Sequence, residues 1–170
     1  MVFYLSFSSG AFLHFIFELS GGLTAAALIG AVNESVWEHL KIGFWPAFIW
    51  AIIEFFVFGK RTRNFLLAKG TSITLIAFLI TGIYYSSVAL LGIETLAIDI
   101  GNFVVSIVIS QVISYRIILI QKNYRILNMI GAVLIIVNLV GFSLLSYYPP
   151  RCPLFKDPVT GGYGIVEHEH

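Results

Sequence analysis

Read from the amino terminus, the chain alternates long apolar runs with short polar interruptions. The apolar runs lie near residues 8–31, 42–58, 70–91, 96–120 and 126–147. Each is of the roughly 17 to 25 residues that carry a helix across a hydrocarbon core about 30 Å thick, and none alternates with the period of two expected of a half-buried strand. The pattern predicts an all-α, polytopic membrane bundle of five transmembrane helices. Its first run, "MVFYLSFSSGAFLHFIF", lacks the positively charged start and small-residue cleavage site of a secretory leader, so it is expected to be a retained span.

The interruptions are polar in opposite ways. "GKRTRNFLLAKG" and "YRIILIQKNYR" bring Lys60, Arg61, Arg63, Lys69, Arg116, Lys122 and Arg125 to one side of the bundle. The other side carries Glu34, Glu38, Glu94 and Asp99, with Lys41 the single cation among them. Lys and Arg concentrate in cytoplasmic loops. The amino terminus is therefore expected inside and the carboxyl tail outside, in the cytoplasmic membrane of the cell. Residues 1–148 form the expected bundle. Residues 149–170 form a Pro- and Gly-rich extracytoplasmic tail, either lying on the surface or closing the bundle mouth as a lid.

Composition strengthens the membrane reading. Of 170 residues, 58% are hydrophobic and 11% charged, against roughly 25% charged in a soluble domain. Mean hydropathy is +0.92. A formal net charge of +1 offers no basic excess for nucleic acid. Cys152 is the only cysteine, so no disulfide forms within the chain.

The densest polar cluster is "AVNESVWEHLKIGFWP", residues 31–46. Ser35-Val36-Trp37-Glu38 matches the capping box, in which serine and glutamate satisfy each other's backbone N–H groups. Asn33 offers a second cap. Glu34, Glu38 and Lys41 share a helical face, and Trp37 and Trp45 suit an interfacial aromatic belt. His39 beside two carboxylates is not required by capping. Further polar residues lie inside the runs: His14 and Glu18 one turn apart on the first, Glu54 on the second, and Asp99, Asn102, Ser106 and Ser110 in a stripe on the fourth, with Ser114 drifting off its edge. Thr74, Thr81 and Tyr85 mark the third and Asn138 the fifth. Such groups are costly in lipid and are expected to turn toward one another. Gly22-x-x-x-Ala26 and Ala27-x-x-x-Ala31 are expected to allow close helix packing, as are Gly131 and Gly141.

Two strings carry a resemblance. N-E-S-x-W-E-H-x-K, here Asn33 to Lys41, and D-P-x-T-G-x-Y-G, here Asp157 to Gly164, resemble the signatures of a family of small, uncharacterised prokaryotic integral membrane proteins. The resemblance implies a membrane protein and supplies no mechanism.

Three functions compete. The first is binding or passage of a small solute, ion or proton through a polar pocket lined by His14, Glu18, Asn33, Glu34, Glu38, His39, Lys41, Glu54, Asp99, Asn102 and Ser106, since buried acids and histidines serve proton relays. So small a bundle would require a homodimer or a partner membrane subunit. The second is a metal-dependent intramembrane enzyme of hydrolase type, with His14, Glu18, Glu38 and His39 as ligands for zinc or another divalent metal, joined by Glu167, His168, Glu169 and His170 from the tail. The spacing matches no specific zinc signature. A Ser35–His39 nucleophile lacks the G-x-S-x-G elbow. The third is a structural or accessory subunit whose polar side chains only bond helix to helix.

Overall fold

A computed structural model describes residues 16–17, 19–92 and 95–165. Among them the regular structure is helical. Helices α1 (Val36–Val57), α2 (Phe65–Leu91), α3 (Leu96–Ile118) and α4 (Arg125–Leu144) are joined by irregular segments, with short 3-10 turns at Ala26–Leu28, Gly59–Arg61 and Pro153–Phe155. All four long helices have the length and apolar composition needed to cross a membrane.

The four correspond to the second through fifth expected spans. The expectation of a first span over residues 8–31 fails in its described part. Helical residues end at Leu19, and Gly21 and Gly22 take φ of +70° and +76°, a left-handed backbone that cannot continue a right-handed helix. Thr24 onward forms turns and one 3-10 segment. Gly22-x-x-x-Ala26 and Ala27-x-x-x-Ala31 are thus not on a regular helix, and their apolar composition misled because periodicity does not register a backbone reversal. Residues 8–15 lie outside the described part of the chain.

The second expected span starts earlier than its apolar run. α1 begins at Val36, so Trp37, Glu38, Lys41 and Pro46 all lie within the helix. Proline here does not end it. The apolar run alone does not reach this start, but the capping box at Ser35 marks it.

The chain forms two compact units, residues 1–46 with 139–170, and residues 47–138. The second unit holds the second half of α1, all of α2 and α3, and most of α4. Its helices pack through small and polar residues, as expected where lipid gives apolar side chains no reason to prefer protein. Gly70 and Gly131 bring α2 and α4 so close that a Cβ on either would overlap the other helix's backbone. Asn138 Nδ2 of α4 donates to Thr74 Oγ1 of α2 (2.8 Å), and Asn102 Nδ2 of α3 donates to the Ile80 carbonyl of α2 (2.9 Å). Ser106 Oγ then donates to Asn102 Oδ1 (3.1 Å). Ser110 and Ser114 are buried as well.

The first unit holds the opening of α1, the end of α4, the turns before α1 and the tail. Its core is aromatic. Trp37 is stacked against Phe142 (4.6 Å between ring centroids) and against Phe155 (4.7 Å), and Phe44 stacks on Phe142 (4.6 Å). Trp37 is half-buried in this cluster and Trp45 is buried, its ring edge-on to Phe44.

Candidate functional site

The first unit contains the polar cluster, and its construction begins with the chain reversal before α1. Asn33 Oδ1 accepts from the Ser35 N–H (2.9 Å), a local turn that asparagine favours because its side chain mimics a backbone carbonyl. Ser35 Oγ accepts from the Glu38 N–H (3.4 Å), which completes one half of the capping box. The reciprocal half does not form. Glu38 is drawn elsewhere, and Asn33 satisfies the donor that Glu38 was expected to take.

Glu38 is 2% exposed and Lys41 is fully buried. Lys41 Nζ lies 2.8 Å from Glu38 Oε2 and donates to the carbonyls of Ala27 (2.7 Å) and Gly30 (3.0 Å). An ammonium has three donors. All three are used. Glu38 Oε2 also accepts from the Val32 N–H (3.2 Å), and Oε1 accepts from Ser146 Oγ (2.5 Å). One turn of α1 therefore ties together the preceding turns and the end of α4 through a closed charge pair. Isolated charges could not persist here, because burial removes hydration worth several kcal/mol per ion, and only complete pairing offsets the loss.

The tail motif meets the same place. Asp157 accepts from the Val159 N–H (3.0 Å) and Thr160 Oγ1 (2.6 Å), while the Gly161 N–H donates to the Asp157 carbonyl (2.9 Å). Pro158 and Gly161 complete a self-bonded turn. Gly164, at φ +69°, sits where a Cβ would press on the Ser146 carbonyl, and its own carbonyl accepts from Asn33 Nδ2 (2.7 Å). The Glu34 backbone N–H reaches the Asp157 carboxylate. The two sequence signatures, more than a hundred residues apart, are one assembly. Burial pushes the Asp157 carboxyl up, but the bonds from Thr160, Val159 and Glu34 outweigh it and hold it below its ordinary value.

His39 and Glu34 occupy the surface. Their side chains are 44% and 48% exposed, with Nε2 3.5 Å from Glu34 Oε2, and His39 Nδ1 lies 3.0 Å from the Ser35 carbonyl. His39 and Glu38 are on different faces of α1, one out and one in.

The second unit distributes its polar residues separately. Glu54 pairs with Lys69, a buried residue of α2 that hydropathy had placed in a loop. Asn102 and Ser106 bond α3 to α2, as described, and Asp99 is exposed in the first turn of α3. His14 and Glu18 lie outside the described residues, as do Glu167, His168, Glu169 and His170. Among the described residues no group of three or more His, Cys, Asp or Glu converges as metal ligands. Sequence reasoning missed Lys69, Ser146 and Asp157. Lys69 reads as a loop cation and Ser146 as one more residue of the last apolar run, and only Asp157 stands within a signature.

A chain of transmembrane-length helices with a sealed polar joint in one unit is the class the fold defines. The particular family follows: the chain belongs to a family of unknown function (DUF6512), whose model matches residues 2–165. No curated protein and no solved structure matches it.

Proposed function

We propose that this protein is a multi-pass membrane protein of structural or accessory type, in which the two signature motifs lock the tail and the turns before α1 to the helix ends. One observation carries this reading: the acid and base most deeply set in the signature, Glu38 and Lys41, are closed off from solvent, with all three ammonium donors and both carboxylate oxygens engaged by each other, by backbone and by Ser146. A pair so enclosed presents no open face to a substrate. The helices cross the cytoplasmic membrane with the Lys60–Arg63 and Lys122 connectors inside and the tail outside, supported by the charge asymmetry of the connections.

A second reading, binding or passage of a small solute, ion or proton, is favoured by one feature. The buried hydroxyls of Ser72, Ser110 and Ser114 in the second unit lack hydrogen-bond partners. Reconstitution into liposomes decides between the two. A structural protein gives no pH-driven flux above empty vesicles; flux abolished by Glu18→Gln or Asp99→Asn but kept in Ser35→Ala would overturn the first reading in favour of the second.

A further inference from the structure

Two polar connectors of the second unit are built as a single object. Arg63 Nη1 donates to the Gln121 carbonyl (2.5 Å), and Asn64 Nδ2 donates to the carbonyls of Ile120 (3.0 Å) and Lys122 (2.9 Å). Asn64 Oδ1 accepts from the Tyr124 N–H (3.0 Å). Asn128 accepts from the Leu67 N–H (2.9 Å) and donates to the Arg63 carbonyl. Asn64 is fully buried in this arrangement. Ordinary charged loops are flexible; these are stitched together by side chains bonded to backbone.

Lys60, Arg61, Arg63, Arg116, Lys122 and Arg125 are all exposed on or beside them. No Asp or Glu occurs between Glu54 and Glu94 or between Asp99 and Asp157, and Glu54 is already held by Lys69, so the local sequence supplies no counter-charge. Lys60 Nζ lies over the Phe56 ring at 4.8 Å from its centroid and Lys122 Nζ over Tyr124 at 5.3 Å, which limits the freedom of both ammonium groups. Exposed cations at a helix end lie at headgroup depth, where juxtamembrane clusters of Lys and Arg attract acidic lipids. Guanidinium and ammonium groups match a phosphate oxygen's need for charged donors.

We propose that the paired connectors form a preassembled cradle for the phosphate headgroup of an acidic phospholipid. The proposal rests on the reading that the four helices cross a membrane, but not on their direction across it. Orientation fixes only the leaflet.

The test uses the full chain purified in a non-ionic detergent and titrated with phosphatidylglycerol or phosphatidylcholine, bound lipid being counted by native mass spectrometry. Phosphatidylglycerol is expected to be retained in preference to phosphatidylcholine. In Lys60→Gln/Arg61→Gln/Lys122→Gln its affinity should fall by about fivefold for each cation removed. Asn64→Ala, which keeps every charge and cuts the stitching, should also lose preference. Equal retention of the two lipids, or a triple variant that binds as the parent does, overturns the proposal. Competition by millimolar inorganic phosphate as effective as by the lipid overturns it too, because the site then takes a free anion. Alkaline carbonate extraction of native membranes separates the failures: release into the soluble fraction ends the membrane reading, whereas retention without lipid preference ends this proposal alone.

Discussion

Lys41 shows how a single residue's surroundings decide its role. Its ammonium sits among three acceptors in a dry place, and the energy of that arrangement is strongly asymmetric: removing one partner strands the other. Glu38→Gln or Lys41→Met alone should each cost about 3 to 5 kcal/mol of stability. Glu38→Leu/Lys41→Met together should cost markedly less than the sum, because no charge is left unpaired; thermal unfolding in detergent of the two singles and the double checks this, and strict additivity would contradict the closed pair. Asp157 gives a pH signature. Its carboxyl is held below the ordinary 3.8 in the folded tail, so its contribution is complete above that value and is lost as pH falls through the lower folded value. Acidification from pH 5 to pH 3 should loosen the tail in the parent chain and have a smaller effect in Asp157→Asn, measured as the change in tryptophan fluorescence, since Trp37 stacks on Phe155 of the tail.

At the scale of elements, close approach governs. α2 and α4 meet backbone to backbone at Gly70 and Gly131, and the missing side chains are what let them do so. Gly131→Ala should force the helices apart and cost about 1 to 3 kcal/mol, the range for overpacking a filled interface. Gly141→Ala is the control, since its added Cβ meets only Trp37 at 3.9 Å and should be near neutral. Comparing the two melting temperatures tests the assignment. The sequence named Gly131 and Gly141 as equivalent small residues, and nothing along the chain separates them: one faces a backbone and the other an aromatic edge, a distinction that exists only between elements. The boundaries of α3 and α4 were legible because an apolar run long enough for a bilayer has few alternative fates, and the start of α1 because the capping box marks it at Ser35. The first turn of α2 was not, since hydropathy counts Lys69 as a loop charge where the fold pairs it with Glu54.

For the whole molecule, direction across the membrane is the open physical quantity with the clearest test. In a Cys152→Ser background, Val159→Cys should react in intact cells with a membrane-impermeant maleimide, and Lys60→Cys only after permeabilisation. The reverse pattern would turn the chain over and make the cationic connectors external.

Local chemistry, read along the chain, determined a helical protein with helices of bilayer length and drew attention to both signatures, because apolar length and turn-forming residues act through the backbone near them. The i, i+3 spacing also put Lys41 within reach of Glu38. Tertiary structure alone decided that Asn33 binds the tail at Gly164, that the Glu38–Lys41 pair is closed off by Ser146 and the turns before the helix, and that His39 faces out. Those outcomes depend on which distant segment arrives to supply a partner, and a one-dimensional pattern contains residue types without the distances that make them partners.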